Sequence, residues 1–480
     1  MITLVKQDAR ARWAIAAQGK YAAMRSNGGK LGLTVPEAFV RGIRHIGYRS
    51  NVEAIAELID NSIQAYSERI DLVFGYDGST SLKKPRQLAV VDDGHGMTGD
   101  MMRLAMMWGG THRENDRGGL GRYGYGLPCA TVSIGRRFTI MSKLKGGRLN
   151  SVTLDLDALE ANGYRDADGD IALPVARPAK LPPFLKQHLE LTHPNGWQSG
   201  TIVLVEKLDR LEWTTSVGLR SNLARHFGVT YHKLLDQTAI NVDGASVRPI
   251  DPMFLTEGHE MHALDGDRAQ ALDPIVIRLT SGSQSEETGE ITLRYAWLPP
   301  TFGAIDKSRD ATGLNANARF AILKGYHGII FSRNGRIIDL AARTPWTTFI
   351  NNDRYIRVEI EFSASLDEQF GVTTSKQQVT VSPAMWDRLH EAGLHKAIEH
   401  LRAKVRMAKA KRTRVVEPSS IIREAQSGPP RPRPAGSFDA SDALTSLLQC
   451  IKRRSGSGGG LIAAEYRSLL TEWSASIPKA

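Results

Sequence analysis

Glu57 and Asn61 stand four residues apart in the run AELIDNSIQA, a spacing that brings both side chains out on one face of a helix. A carboxylate held beside a phosphate-bound metal can take a proton from attacking water. A neutral amide oxygen can ligate magnesium without adding charge, and because that ion keeps waters and phosphate oxygens as its other ligands, one protein ligand suffices. About thirty residues on, VVDDGHGM places Asp92, Gly94, Gly96 and Met97 where a strand gives way to a glycine turn. The backbone can approach a flat ligand at such a turn. A buried carboxylate there would accept a hydrogen bond from the exocyclic amine of adenine and repel the oxygen that guanine presents. Taken singly, an ExxxN pair is a solvated helix face and Asp-Asp-Gly a plain turn; their order and spacing are what point to a purine nucleotide.

The run GLGRYGYG adds Gly119, Gly121, Tyr123, Gly124 and Gly126. Glycines at this density let successive backbone N–H groups face a polyphosphate, and a helix beginning near Gly124 would add its positive end. The stretch is not a Walker A loop, since GxxxxGK followed by Ser or Thr is absent from it.

In this order the elements resemble the GHKL, or Bergerat-fold, ATPases, a superfamily that takes in gyrase B subunits, heat-shock chaperones, histidine kinases, MutL and the microrchidia (MORC) proteins. A fourth motif of that family has its match in SGTIVLVEKL, with Gly200 and Thr201, and the resemblance covers residues 35 to 210. It implies ATP and Mg2+ as cofactors, Glu57 as general base, Asn61 as magnesium ligand, and Asp92 as adenine reader with Gly94, Gly96, Met97 and Thr201 around the base. It also implies that residues 109 to 126 form the lid and phosphate cradle. IGYRSNVEAIAELIDNSIQA and LGRYGYGLPCATVSIG look most like MORC and its bacterial relatives, although several branches carry an acidic residue where this chain has Gln64. The later part resembles the ribosomal-S5-like transducer of gyrase, MutL and MORC, which sends a lysine back to the γ-phosphate. Lys376 in TTSKQQ is the candidate, ahead of Lys324 and Arg333.

The elements that must position these groups follow from pattern. PEAFVRGIRHIG and NVEAIAELIDNSIQAYSE read as helices, the second capped by Ser50 or Asn51. RIDLVFGY, RQLAVVDD, FTIMSKL, LNSVTLDL and GTIVLVEKL read as strands, with helices at Gly99 to Trp108 and from LPCATVSIG. Asp155 to Pro194, rich in Pro, Asp and Gly, reads as an insertion or long loop, and residues 210 to 240 as helix. A second alternation then runs through AINVDG, PIVIRL, EITLRYAWL, HGIIFSRNGRIID and RYIRVEIEFS. The fold expected is α/β, an α+β sandwich: an arm at 1–34, the ATPase domain at 35–240, the transducer at 241–382, a basic helix at 383–416, and a linker with a small helical tail at 417–480.

At 480 residues and 41% hydrophobic content the chain can fill two cores. No apolar run approaches the ~20 residues that span a bilayer, and the N-terminal stretch lacks a secretory pattern, so a cytoplasmic protein with no membrane partner is expected. Cys129 and Cys450 offer neither a disulfide framework nor metal-ligand spacing. The net charge of +11 favours a polyanionic partner. Between Lys396 and Arg414 the final helix carries eight basic residues against one acid, Glu399, and so could follow the phosphates of DNA. The resemblance implies a homodimer closed by ATP, its arm formed by residues 1 to 30 with Trp13 and Tyr21. It also implies a DNA-directed role in prokaryotic defence or restriction, beside a partner nuclease or helicase. A chaperone acting on protein clients and a regulatory ATP-binding scaffold are the alternatives. A sensor kinase fits less well, because here the nucleotide module precedes the other domains.

Overall fold

The computed structural model describes residues 15–20, 23, 42, 44, 48, 50–77, 83–109, 124–165, 171–280, 288–372 and 378–416. Most of the expected arm, Gly119, Gly121, Tyr123, Lys376 and the linker with its tail lie outside these residues. Met1–Lys411 makes one compact unit and Arg412–Ala480 a second. The architecture is mixed α/β, built on two sheets that both belong to the first unit.

Helix α1, Asn51–Gln64, starts where the Ser50 hydroxyl accepts the Glu53 N–H and ends before Ala65. Its buried stripe of Val52, Ile55, Leu58 and Ile59 packs on the first sheet. That sheet holds β1 (Arg69–Gly75), β2 (Gln87–Asp92), β3 (Gly135–Lys143), β4 (Asn150–Asp155), β5 (Arg177–Pro178), β6 (Gly200–Leu208), β7 (Ala239–Val242) and β8 (Ala245–Ser246), in the order β5-β4-β3-β6-β2-β1-β7-β8. Neighbours are antiparallel except β1 with β7. Alternate residues of the central strands enter different cores. Leu72, Leu88, Val90, Ile140 and Val203 pack with α1, α2 (Gly99–Met106), α3 (Gly126–Ile134) and α6 (Ser216–Thr230), while Val73, Ala89, Val91, Met141 and Ile202 pack on the opposite face. Covered on both sides, these strands read as continuous apolar runs rather than as alternation.

Three expectations are corrected here. The stretch read as an insertion or loop contains α4 (Leu156–Glu160), β5 and α5 (Pro183–Thr192). Proline in the first turn does not break a helix, and Leu185 and Leu189, one turn apart on α5, bury against the second face of the sheet. AINVDG, read as the opening of the second domain, supplies β7 of the first sheet, where Ile240 and Val242 join its core. That parallel partnership with β1 has no local signature. Within 210 to 240 the helix occupies only Ser216–Thr230, capped by the Thr215 hydroxyl.

The second sheet runs β12-β11-β13-β10-β9, from β9 (Gln270–Thr280), β10 (Thr288–Trp297), β11 (Ile329–Arg333), β12 (Arg336–Ala341) and β13 (Ile356–Phe362). The short helix α7 (Arg319–Gly325) joins its core. The single helix expected from Pro383 is two, α8 (Pro383–Glu391) and α9 (Leu394–Val416), separated at Gly393, whose φ of +89° suits a helix stop. Leu389, Leu394, Ile398, Leu401 and Val405 are buried in the second core. Arg402 does not belong to a free basic face: it is hydrogen-bonded to Asp353 and Glu399. Among the described residues no helix is long and apolar enough to cross a membrane.

Candidate functional site

Two clusters meet along α1. In the first, Glu57 is only 5% exposed, and Gly126 at the head of α3 comes so close that a Cβ added there would lie 1.9 Å from Glu57 Oε1. Tyr48 and Cys129 sit in the field of the same carboxylate. Burial first, then the charge of Glu57, pushes Tyr48 well above its ordinary value. Burial likewise pushes the Cys129 thiol up to about 11, offset in part by a hydrogen bond with Trp108 and reinforced by Glu57. Both neighbours are therefore neutral near pH 7 and neither competes as a charged acid. Asn61 is half-buried one turn along the helix. A carboxylate and an amide oxygen within a turn are hard oxygen donors, a set that suits a divalent cation of the magnesium kind.

The second cluster is organised by Asp92 at the end of β2. Its Oδ1 accepts the backbone N–H groups of Gly94 at 3.0 Å and Thr201 at 3.1 Å, and its Oδ2 accepts the Ser62 hydroxyl at 3.0 Å. Burial raises this carboxyl to about 6 in spite of those three bonds, with the charge of Asp93 adding to the rise. The Trp197 indole donates to the Asp92 carbonyl at 2.9 Å. Behind it, Ser142 donates to the Gly200 carbonyl at 2.8 Å and accepts the Met97 N–H at 2.8 Å, with Thr201 Oγ1 2.9 Å away. Ser142 has one proton and the carbonyl takes it, so Thr201 must donate to Ser142 and keeps its own lone pairs as acceptors.

Gly94, Gly96 and Gly200 are glycines for a reason the sequence does not reveal. A Cβ at Gly96, where φ is +75°, would lie 2.1 Å from the Lys143 carbonyl; at Gly200, where φ is +138°, it would lie 2.0 Å from that of Asp92. At Gly94 it would lie 2.6 Å from the Ala65 carbonyl. The close approach is thus one of protein backbone to protein backbone, welding the ends of β2, β3 and β6 around Asp92. At the base of the glycine-rich segment the Gly109 N–H donates to the Gly124 carbonyl at 3.1 Å. Both glycines are left-handed, with φ of +90° and +67°.

The structure therefore gathers Glu57, Asn61 and Gly126 in one group and Asp92, Gly94, Gly96, Met97 and Thr201 in another. Ser62, next to Asn61 on α1, joins the two through its bond to Asp92. Ser62, Ser142 and Trp197 were missed by sequence reasoning. Ser142 is visible only once β3 is known to pair with β6, which sets it opposite Thr201.

Gly126→Ala tests the tight contact at the first group. The added methyl must displace the Glu57 carboxylate, so with Glu57 as the expected base turnover should fall roughly tenfold to thirtyfold beyond any change in nucleotide affinity, as expected for a misplaced reacting group. Steady-state kinetics beside an analogue-binding titration would check it.

Residues 48–175 match the family model of histidine kinase-, DNA gyrase B-, and HSP90-like ATPases. No curated protein matches the chain. The matched segment runs from just before α1 through α4 and stops short of β5. It supports a GHKL ATPase fold for the first sheet, and with it ATP binding and hydrolysis. Proteins of this family generally bind ATP with Mg2+ and commonly dimerise.

Proposed function

We propose that this chain hydrolyses ATP to time the closing of a dimeric clamp of MORC or MutL type on DNA. The observation that carries the hydrolytic part is the single helix that presents a buried carboxylate, Glu57, against the head of α3 and, five residues on, the Ser62 hydroxyl that holds Asp92. In this reading Glu57 takes a proton from the water that attacks the γ-phosphate. Asp92 accepts the adenine amine, and the Thr201 oxygen accepts from the base or from a water beside it. Asn61 would hold magnesium, which when bound offsets charge on the phosphoryl oxygens. Gly119, Gly121, Tyr123, Gly124 and Gly126 serve as the lid and phosphate cradle, and Lys376 reaches the γ-phosphate from the second domain.

Charge is what points the clamp to DNA. The net charge is +11, and on α9 Lys396, Arg406 and Lys411 are exposed, with Lys404 half-buried, while Leu394, Ile398, Leu401 and Val405 face the core. With Arg402 committed to Asp353 and Lys409 donating to Asn352 beside the Tyr355 ring, the exposed Lys396, Arg406 and Lys411 are the cations that meet phosphates. A prokaryotic defence or restriction role beside a nuclease or helicase is the biological setting proposed.

Fluorescence anisotropy with duplex DNA across a salt series, with and without a non-hydrolysable ATP analogue, tests the cargo, and sedimentation in the same buffers tests dimerisation. Binding should weaken with a log–log slope near −0.9 per phosphate neutralised, and the analogue should shift monomer to dimer. Absence of binding at low salt removes DNA as the cargo, and a client protein becomes the next substrate to try.

A further inference from the structure

Between Glu57 and Asn61, α1 carries a third polar side chain that the hydrolytic reading does not use. Asp60 is fully buried. Its Oδ1 accepts Arg336 Nε at 2.8 Å and lies 2.9 Å from the Tyr231 hydroxyl, which is also 2.9 Å from the Ala56 carbonyl of α1. Arg336 is the first residue of β12 in the second sheet, and its guanidinium lies 5.8 Å from the Tyr231 ring centroid. Burial opposes its charge, but Asp60, then Tyr231, and lastly Glu57 more than restore it, holding the guanidinium above its ordinary value.

The strand that supplies Arg336 is one arm of a tight hairpin. Asn334 and Gly335 have φ of +48° and +82°, the double left-handed turn that joins two strands through two residues. Arg333 pairs with Arg336 in register across it. Arg333 in turn grips Asp367 through Nε at 2.6 Å and Nη2 at 2.7 Å, and Asp367 precedes Lys376 by nine residues. One tight turn thus carries two arginines, Arg336 on Asp60 of α1 and Arg333 on Asp367. A buried ion pair contributes little net stability against its desolvation cost, so a positioning role explains the arrangement better than stability does.

We propose that Arg336 is a positioning residue for ATP hydrolysis: through Asp60 it fixes the turn of α1 that bears Glu57 and Asn61, and the β11–β12 hairpin is the element by which the second sheet sets that turn. The inference rests on the ATPase reading above. It is tested on the full chain by measuring kcat and KM for Mg·ATP, together with Kd for a non-hydrolysable analogue. The proteins compared are the wild type, Glu57→Ala, Arg336→Lys, and the double variant Asp60→Asn with Arg336→Met. Removing both charges of a buried pair is commonly neutral for folding. The double variant should keep its analogue Kd within about threefold and lose about tenfold in kcat, a split that general damage to the fold does not produce. Arg336→Lys, which keeps the cation but not the Nε geometry, should lose about threefold with Kd unchanged. Wild-type kcat in the folded double variant overturns the proposal, as does an equal loss of kcat and analogue affinity. If the double variant does not fold, Arg336→Lys decides by the same criteria. A wild type without hydrolysis, or one indifferent to Glu57→Ala, overturns the ATPase reading itself and this inference with it, a result distinct from failure of Arg336 alone.

Discussion

The Glu57→Ala protein is expected to bind Mg·ATP within a few-fold of the wild-type affinity and to hydrolyse it about 10² to 10⁴ times more slowly. The two quantities separate because the groups that would hold the adenine end are elsewhere: Asp92 is bound to Ser62, Gly94 and Thr201, and none of those bonds passes through Glu57. What the substitution would remove is the proposed proton acceptor. Glu57→Gln should lose turnover to a similar degree with less disturbance of the packing against Gly126, and so separates loss of the base from loss of shape. Single-turnover hydrolysis with an excess of enzyme, beside an equilibrium titration with a non-hydrolysable analogue, measures both. Unchanged turnover would remove Glu57 from the mechanism.

Asp92→Asn is expected to weaken ATP binding about 10- to 150-fold while making the nucleotide-free protein more stable at neutral pH. The amide can reproduce the internal bonds: its oxygen accepts from Gly94 and Thr201, and its NH2 can donate to Ser62, reversing that bond. It cannot reproduce the charged acceptor, and its NH2 would meet the adenine amine donor to donor, a loss of about 1.5–3 kcal/mol. The stability effect has the opposite sign. Burial raises the folded-state carboxyl from 3.8 to about 6, so between those values the folded protein holds a proton that the unfolded chain releases. Stability from this group therefore increases as pH falls through 6, is complete below 3.8, and is lacking at pH 7 by on the order of 3 kcal/mol. The variant's advantage in melting temperature should be largest near pH 7.5 and vanish by about pH 4. Wild-type affinity for ATP should decline as pH drops through 6, and that of Asp92→Asn should not. Melting curves and titrations across this range check both signs, and equal affinity of the two proteins at pH 7.5 would release Asp92 from adenine.

Much of the candidate site was legible because its parts are local. Glu57 and Asn61 fall within a turn of one helix, and Asp92 stands where an apolar run meets glycine. What could not be read depends on partners far apart in the chain. Ser142 gains meaning only opposite Thr201, and the Asp60–Arg336 pair spans 276 positions. The α/β class follows from the alternation of elements, yet AINVDG looked like any other short apolar run until β1 supplied its neighbour. α5 was hidden because prolines weigh against helix in composition, although at a first turn they do not. The division of α8 from α9 hinged on Gly393 alone, set within a long amphipathic pattern that otherwise continues.

The place of β6 between β2 and β3 has a consequence for how the protein is made. During synthesis, β1 through β4 leave the ribosome before Gly200–Leu208 exists, and until it arrives β2 and β3 each present an unpaired, largely apolar edge. Such edges are templates for pairing with the wrong chain. A fragment ending at residue 175, where the family match stops, would keep both edges bare for its lifetime, and would aggregate rather than fold to a smaller version of the domain. Asp92 would also lack the Thr201 N–H. The hydrogen-bond set around Asp92 is thus completed only by β6, the strand that fills the gap between β2 and β3.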